Sequence, residues 1–412
     1  MRRTLFAIVF LFLICGSALA TNYYARPSAQ GSGNGSDWTN AMALSAADSS
    51  AVYRSHTIYF SGESYGSLDF EASGGTDEGE RITVKRATVA YHGTETGWNP
   101  DWDAQADFNR LGISADYYTI DGSDAVDYGI YIISPNDGDP SSNYNIDINS
   151  ANFTVLSSVY SHAGNFANRN RCLYLESVEN STISHLRLTD GGLDAIALRS
   201  VDTVVFDDIW IDGRNSCCGE HGDAWEFQVA GANITFKNSV WDYDGQQLFF
   251  GGVSAPTYDN FLMYGIVQMG GSTSGKCTKS HEDATVTNLK IYNSTCVNMN
   301  TNSYSVSGTF INNIFYDVPN PVGTHTYTYY ETGMTVSGTN NQAGGDPFVD
   351  EPGEDFHLAF ATDAGSDLGS PYNVDMDGVT RTNWDRGAYE YDAGGAPSII
   401  KKIMTFFRRL RG

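Results

Sequence analysis

Basic residues are scarce in this sequence. It contains 24 Lys and Arg against 49 Asp and Glu, a formal net charge of −25 at pH 7. The resulting field repels nucleic acid and other polyanions, so we expect no nucleic-acid partner. A neutral glycan meets no such barrier, and an acidic glycan could bind if a divalent cation joined it to carboxylates of the protein.

Long apolar runs are also scarce, and the longest stands near the N-terminus. Arg2 and Arg3 precede the apolar run Leu5–Ile14, and Ala18-Leu19-Ala20 then offers small residues for cleavage. This pattern predicts a signal peptide over residues 1–20 and an exported protein, extracellular, periplasmic or at the cell surface. The run is shorter than the roughly 18 residues that a spanning helix needs. Loss of Arg2 and Arg3 takes the net charge to −27.

Cysteine pairs with metal-ligand spacing are absent from the sequence. Cleavage would leave five cysteines, an odd number that cannot all pair within one chain: Cys172, Cys217, Cys218, Cys277 and Cys296. In the oxidising compartment that an export signal implies, we predict one or two disulfides and a leftover thiol, with the pairing open.

Helical apolar spacing is almost absent before residue 398, whereas 43 glycines and many Asn, Asp, Ser and Thr favour an all-β chain. Similar strand segments recur in the middle of the chain at a spacing of 22 to 29 residues: Cys172–Ser177, Ala195–Ser200, Ala224–Val229 and Gln247–Gly252. Their in–out alternation predicts that Leu173, Ile196, Trp225 and Leu248 stack in one inward column.

A second series of strand segments alternates with the first: Ser181–Leu188, Thr203–Trp210, Asn233–Asn238 and Thr285–Lys290. Because similar strands are a whole coil apart, they are expected to pair in parallel, which predicts a β-solenoid and not a sandwich of hairpins. Asn238, Asn293 and Asn312 follow strands at comparable turns. They form either a hydrogen-bonded ladder along the axis or isolated turn residues.

These coils resemble those of the right-handed parallel β-helix proteins of the pectate-lyase-like group. The entry segment, Tyr23–Ser28 with Gly31–Trp38, is similar to that of many secreted members. The end resembles the closing region of bacterial β-helix proteins called choice-of-anchor Q, in these stretches: Asp346–Asp350, Asp355–Leu358, Gly369–Pro371, Asp375–Gly378, Arg381 and Asp385–Glu390. The resemblance implies one right-handed parallel β-helix domain over residues 21–392, in an exported protein that binds or modifies polysaccharide.

Two features near the C-terminus have their own interpretation. Asp375-x-Asp377-Gly378 opens like a calcium loop but lacks the acid at the twelfth position of an EF-hand, so we predict a turn packed on the last coil. Residues 393–412 form a basic amphipathic tail, because the apolar residues of 399–410 fall on one helical face and the Lys and Arg residues lie largely opposite. The tail either caps the solenoid or makes a peripheral membrane or envelope contact.

Chemistry on a solenoid comes from side chains on consecutive coils, which are neighbours about 4.8 Å apart. The aligned coils predict a cluster of catalytic candidates: Asp194, His221, Asp223, Glu226 and Asp244, with the basic residues Arg171 and Arg199. In a hydrolase, paired carboxylates would supply the acid and its partner. In a lyase, Asp194, Asp223 and Glu226 would hold Ca²⁺ against a uronate carboxylate while a base removes the adjacent proton. The candidate bases are Arg171, Arg199, His221, Lys276 and Lys279.

Aromatic residues are plentiful, with 25 Tyr, 21 Phe and 7 Trp. We predict that Tyr174, Trp241 and Tyr243 are exposed beside the cluster and stack on sugar rings. The sequence thus predicts a monomeric lyase or glycosidase that acts on polysaccharide at a groove near His221. The alternative is a non-catalytic surface protein, an adhesin or glycan-binding solenoid, in which the same side chains bind sugar or Ca²⁺ without chemistry.

Overall fold

A computed structural model describes residues 22–48, 53–71, 75–93, 95–123, 128–133, 144–163, 171–189, 194–213, 222–243, 245–251, 255–270, 276–299, 306, 308–319 and 323–392. The predicted signal peptide, the tail over 393–412, Cys217, Cys218, His221 and Asp244 lie outside the described residues. No helix within the described ranges combines the length and the apolar character that crossing a membrane requires.

The described strands, in chain order, are β1 (Asn22–Arg26), β2 (Met42–Ala43), β3 (Thr57–Phe60), β4 (Ser67–Phe70), β5 (Ile82–Arg86), β6 (Ala106–Phe108), β7 (Arg110–Ile113), β8 (Tyr118–Asp121), β9 (Ile130–Ile133), β10 (Tyr144–Asn149), β11 (Val155–His162), β12 (Arg171–Glu176), β13 (Glu179–Thr189), β14 (Ile196–Arg199), β15 (Val201–Gly213), β16 (Asp223–Phe227), β17 (Gly231–Tyr243), β18 (Gln246–Phe250), β19 (Thr257–Met269), β20 (Lys279–Ser280), β21 (Thr285–Thr287), β22 (Lys290–Tyr292), β23 (Thr295–Val297), β24 (Thr309–Ile311), β25 (Ile314–Tyr316), β26 (Thr324–Thr326), β27 (Tyr329–Glu331), β28 (Gly338–Thr339), β29 (Gln342–Gly344), β30 (Phe348–Asp350) and β31 (Asp355–Leu358). Short 3₁₀ helices lie at Trp38–Asn40, Leu44–Asp48, Glu78–Glu80 and Pro100–Asp103.

Two long sheets form the walls of a right-handed parallel β-helix, as the sequence predicts. One, here called the short sheet, runs β4-β7-β10-β12-β14-β16-β18-β20; the other, the long sheet, contains most of the remaining strands. Each strand pairs in parallel with its equivalent one coil later, so that Leu173 pairs with Ile196, Ile196 with Trp225, and Trp225 with Leu248. The predicted inward column is therefore confirmed residue by residue. Strands β30 and β31 form an antiparallel hairpin beyond the coils.

The core between the sheets is filled by inward columns of aliphatic and aromatic side chains. Trp225 packs against Trp241 at a ring-centroid distance of 5.3 Å. Strand β17 runs on through Tyr243, and Trp241 follows Ile211 in an inward column. Trp241 and Tyr243 are both fully buried. The expectation that these rings are exposed to sugar is corrected, because the strand continues and directs them inward.

A disulfide joins Cys277, beside β20, to Cys296 of β23, with a Cα–Cα distance of 6.4 Å. It links the end of the short sheet to the long sheet. The Cys172 thiol is buried and donates to the carbonyl oxygen of Thr189 at 3.3 Å. One of the predicted disulfides is thus assigned to a pair that spacing alone left open.

The long sheet bends along a column of residues with positive φ, among them Asn238, Gly265, Asn293 and Asn312. Asn312 Nδ2 donates to Asn293 Oδ1 at 3.0 Å, which is the ladder geometry. Asn238 Nδ2 instead donates to Asp207 Oδ1 at 2.9 Å. Gly265, with φ of 61°, stands between Asn238 and Asn293 and interrupts the ladder.

The coils shorten after the short sheet ends. Ile291 pairs with Phe310, 19 residues later, Phe310 with His325, 15 later, and His325 with Gly338, 13 later. These coils consist of long-sheet strands within the described residues. The solenoid therefore tapers towards its C-terminal end.

The closing region, here residues 346–390, folds back along the long sheet and is held there by hydrogen bonds. Ala388 N donates to Thr295 Oγ1 at 3.0 Å, and Gly387 N donates to the Asn312 carbonyl oxygen at 2.7 Å. Buried Arg381 donates to the carbonyl oxygens of Asp385, Gly387 and Ala388. The predicted turn at Asp375–Gly378 is present, but it packs beside earlier coils because the whole segment doubles back. Its Asp375 carboxylate accepts backbone N–H groups.

Candidate functional site

The candidate site lies on the outer face of the short sheet, and a local bulge shapes it. Near the start of each strand in the middle coils, two consecutive side chains are enclosed in the interior of the solenoid. These buried pairs are Cys172-Leu173, Ala195-Ile196, Ala224-Trp225 and Gln247-Leu248. Cys172 N and Leu173 N both donate to the Ala195 carbonyl oxygen at 3.1 Å, so the backbone is bulged there. The residues just before and just after each buried pair consequently share one face. Simple alternation, as predicted from the sequence, fails at this point.

Two neighbouring columns result, which we call the outer face. The first contains Tyr144, Arg171, Asp194, Asp223, Gln246 and Lys276. The second contains Asp147, Tyr174, Ala197, Glu226, Phe249 and Lys279. The sequence alignment brought most of these residues together. It missed Tyr144, although extending the repeat one coil towards the N-terminus would have found it.

Arg171, Asp194 and Glu226 form an ionic cluster at the centre of the outer face. Arg171 Nε donates to Asp194 Oδ2 at 2.9 Å, and Nη2 forms an ion pair with the same oxygen at 2.8 Å. Nη2 also lies 3.6 Å from Glu226 Oε2, and Gln228 Nε2 donates to the same oxygen at 2.6 Å. Arg171 reaches Glu226 past the small side chain of Ala197, which occupies the intervening coil. The predicted acids Asp194 and Glu226 are thus brought together, with an arginine between them.

Asp194 has an altered proton affinity. Burial raises the pKa of its carboxyl well above the usual range, the charges of Glu226 and Asp223 add to this, and Arg171 opposes it. The carboxyl also accepts the backbone N–H of Asp223 at 3.2 Å. Asp223 itself is fully buried. The site therefore places an acid of raised pKa beside a second carboxylate.

Aromatic rings flank the cluster on its N-terminal side. Tyr144 and Tyr174 stack at 4.1 Å with an interplanar angle of 11°. The Tyr174 hydroxyl donates to Glu176 Oε2 at 2.8 Å and accepts from Arg199 Nη1 at 3.4 Å. Tyr174 is only 4% exposed, and burial raises its pKa to about 12. The expectation of an exposed Tyr174 ring is corrected, because Tyr144 and Arg199 cover it.

Lysines terminate the outer face at its C-terminal side. Lys276 pairs along the column with Gln246, and Lys279 with Phe249, whose ring centroid lies 5.1 Å from Nζ. Within the described ranges no carboxylate forms an ion pair with either lysine. Burial lowers the pKa of Lys276, and the charge of Lys279 lowers it further. Both were candidate bases in the sequence.

The described acids do not fit a Ca²⁺ site. No group of three or more His, Cys, Asp or Glu side chains in the described part of the chain is arranged to hold a metal ion. Arg171 lies against Asp194 and Glu226, where a cation would have to bind. His221 and Asp244 lie outside the described residues, so their predicted places in the cluster stay predictions.

Comparison with known proteins gives a structural likeness only. No protein-family model and no curated protein sequence matches the chain. The crystal structure of the pectate lyase Pel9A is similar with a TM-score of 0.51 at 15% identity, covering 91% of this chain and 97% of that one. A rhamnogalacturonan lyase gives 0.49 at 12% identity, covering 91% and 96%. An alginate lyase from Paenibacillus sp. str. FPU-7 gives 0.40 at 13%, covering 77% and 95%. At this identity the likeness to the pectate lyase shows that the chain shares its parallel β-helix fold.

Proposed function

We propose that the protein is an exported lyase that cleaves a uronate-containing polysaccharide on the outer face of the short sheet. The observation that carries the proposal is the pair Lys276 and Lys279. The two neighbouring lysines have no carboxylate partner among the described residues, and a bound anion would offset the repulsion between their charges. In a chain with a net charge of −25, such a pair is a specific anion site.

The chemistry of β-elimination fits this pair. A base takes the proton from the carbon next to the uronate carboxylate, the bond from the adjacent carbon to the glycosidic oxygen breaks, a C=C bond forms, and the leaving oxygen gains a proton. Lys276 is the proposed base, because its lowered pKa increases the neutral fraction near neutral pH. Lys279 binds the uronate carboxylate, and the half-exposed Arg199 binds a second uronate further along the polymer.

A glycosidase is less well supported by the acid cluster. The two carboxyl groups of a retaining enzyme are about 5–5.5 Å apart, and those of an inverting enzyme about 6.5–9.5 Å, with the sugar between them. Asp194 and Glu226 are instead both contacted by Arg171 Nη2, at 2.8 and 3.6 Å. This leaves no room for a sugar carbon between them. We assign the cluster a positioning role, since it fixes Asp223 and Gln228 beside the substrate path.

Product analysis tests the proposal. The mature chain is incubated with uronate-containing and neutral polysaccharides, with and without Ca²⁺, and both the ultraviolet absorbance of unsaturated products and the reducing ends are followed. We expect unsaturated products from a uronate polymer. Lys276→Gln should lower this rate at least ~100-fold, whereas Lys290→Gln, on the long sheet, should leave it unchanged. Reducing ends without unsaturation would contradict the lyase.

The second candidate is a glycan-binding solenoid without catalysis. It is favoured by the fact that Arg171, Asp194 and Glu226 contact one another, while the Tyr174 hydroxyl is bonded to Glu176 and Arg199. Under this reading, Lys276→Gln weakens binding of uronate polymer, and no bond is cleaved in any substrate. Retained binding with no product across the panel would establish it in place of the lyase.

The cellular location belongs to the same proposal. We propose cleavage after Ala20, a β-helix domain over 21–392, and a tail over 393–412 that contacts the envelope. Mass spectrometry of the exported protein tests the cleavage site. Vesicle flotation of the chain with and without residues 393–412 tests the tail, and equal flotation of both would exclude it as an anchor.

A further inference from the structure

We infer that the protein carries a second saccharide site, which takes a neutral sugar residue, in a cavity between the long sheet and the closing region. The cavity has a volume of about 480 Å³. This lies within the range of roughly 300–1,000 Å³ that small-molecule sites occupy. It is lined by residues of β15, β17 and β19 and by part of segment 371–389, and it is separate from the outer face described above.

The cavity forms where the closing region crosses the bend of the long sheet. Asn293 Nδ2 ties that segment down by donating to the Tyr372 carbonyl oxygen at 3.2 Å. One coil earlier the bend residue is Gly265, and a Cβ built there would meet Met376 at 3.5 Å and Asn238 Oδ1 at 3.3 Å. Met376 thus packs against the bend at Gly265. Beyond it, towards Asn238 and Asp208, the space stays open.

Aromatic rings supply the apolar walls. The Arg187 guanidinium lies 5.3 Å from the Trp210 ring centroid. The next residue of that outward column is Val240, which is much smaller than Trp210, and both line the cavity. Tyr264 lines another wall and meets Tyr372 edge-on at 5.0 Å. Such ring faces are suitable for packing against the C–H groups of a sugar.

Polar side chains in the lining can bond to the hydroxyl groups of a sugar. Asn238 contributes an amide and Asp208 a carboxylate. An amide both donates and accepts hydrogen bonds, and a carboxylate accepts them from hydroxyl groups.

The charged side chains that line the cavity favour a neutral sugar over a uronate. Lys237 is neutralised by Asp207 at 2.8 Å, so it does not attract an anion. Asp208 and Asp375 also line the cavity, and Asp208 is bonded to His185 at 2.6 Å. Carboxylates accept hydroxyl hydrogen bonds but repel a uronate carboxylate. The preference is thus opposite to that expected at Lys276 and Lys279.

A matched ligand pair tests the inference on the full mature chain. Binding of methyl galactoside and of methyl galacturonide, which differ at C6 alone, is measured by saturation-transfer NMR and calorimetry, with methyl glucoside, mannoside and rhamnoside as further neutral probes. We expect at least one neutral glycoside to bind with millimolar affinity or better. Trp210→Phe and Tyr264→Ala should weaken it at least tenfold. Tyr292→Ala, one coil from Tyr264 and outside the lining, is the control.

Three outcomes would overturn the site. These are no binding by any neutral probe at about 10 mM, equal binding of galactoside and galacturonide, or binding that Trp210→Phe and Tyr264→Ala leave unchanged. Thermal unfolding of each variant establishes that it is folded, and the conservative Trp210→Phe keeps the test decisive if Tyr264→Ala unfolds. Lys276→Gln should not change this binding, which separates the cavity from the proposed lyase site.

Discussion

Arg171 and Glu226 lie two coils apart along the solenoid, yet their charged groups approach to 3.6 Å. The contact exists because the coil between them presents Ala197, and because Arg171 is held over Asp194 at 2.8 Å. One arginine thereby connects three successive coils. The stability of the outer face depends on that side chain.

Replacing Arg171 should leave both Asp194 and Glu226 without their positively charged partner. We expect Arg171→Met to lower the free energy of unfolding by about 3 kcal/mol at neutral pH, because Asp194 and Glu226 lose their cation in a buried setting. Arg199→Met, at a half-exposed pair, should cost less than about 1 kcal/mol. Urea unfolding measures both. Equal losses for the two variants would contradict the central role of Arg171.

Asp194 should give the unfolding free energy a particular pH dependence. Burial, followed by the charges of Glu226 and Asp223, raises its folded pKa. A raised folded pKa contributes stability that is fully present below the unfolded value of about 3.9, and this stability is lost as pH rises through the folded pKa. Asp194→Asn should flatten this decline. The exposed Asp101→Asn serves as control, and an unchanged slope in Asp194→Asn would contradict the assignment.

His357 should stabilise the closing region in its charged form. Burial lowers its pKa, but hydrogen bonds to Asp355 and to Asp377, the latter at 2.8 Å, more than offset this, so that the pKa is raised. Its contribution is therefore fully present below the unfolded pKa of about 6.5 and is lost as pH rises through the folded value. His357→Gln should lower the melting temperature at pH 6 more than at pH 9. The more exposed His281→Gln should show little effect at either pH.

Lys279 should set the pH profile of the proposed lyase. Its charge helps to lower the pKa of Lys276. Lys279→Gln removes that repulsion, so the rising limb of kcat/KM against pH should move to higher pH, besides any loss in uronate binding. Lys290→Gln should leave the limb in place. A limb that stays fixed in Lys279→Gln would show that Lys276 is not the base.

The disulfide should support the same two lysines. Cys277 directly follows Lys276 and is joined to Cys296 on the long sheet. The double variant Cys277→Ala with Cys296→Ala should lower the free energy of unfolding by about 3 kcal/mol. It should also lower lyase activity in folded protein, because β20 loses its attachment. Full activity with reduced stability would limit the disulfide to a structural role.

The repeat was readable from the sequence because one pattern recurs at every coil. The register of Leu173, Ile196, Trp225 and Leu248 follows from hydrophobic alternation alone, whereas the meeting of Asp194 with Glu226 also depends on a bulge. The bulge at Cys172-Leu173 was not readable, since it depends on two backbone N–H groups sharing the Ala195 carbonyl. Hydrophobic alternation also does not predict that strand β17 continues through Tyr243.

The cavity beside Trp210 was beyond sequence reasoning for a different reason. Its walls come from segments more than 100 residues apart, and they meet because the closing region doubles back along the long sheet. A pattern of local spacing carries no information about that return. The closing motif itself was recognisable, but what Arg381 does, binding three carbonyl oxygens, is visible only in three dimensions.

The narrow coils at the C-terminal end and the wide coils before them can change in different ways during evolution. Narrow coils after Ile291 leave little interior to fill, so the stack ends by shortening. The wide coils before them are nearly interchangeable units, each bonded to its neighbours by the same parallel pattern. Duplication or deletion of one wide coil would change the length of the outer face by about 4.8 Å and leave the end intact. The length of the outer face can therefore evolve in whole steps, without redesign of the part that closes the fold.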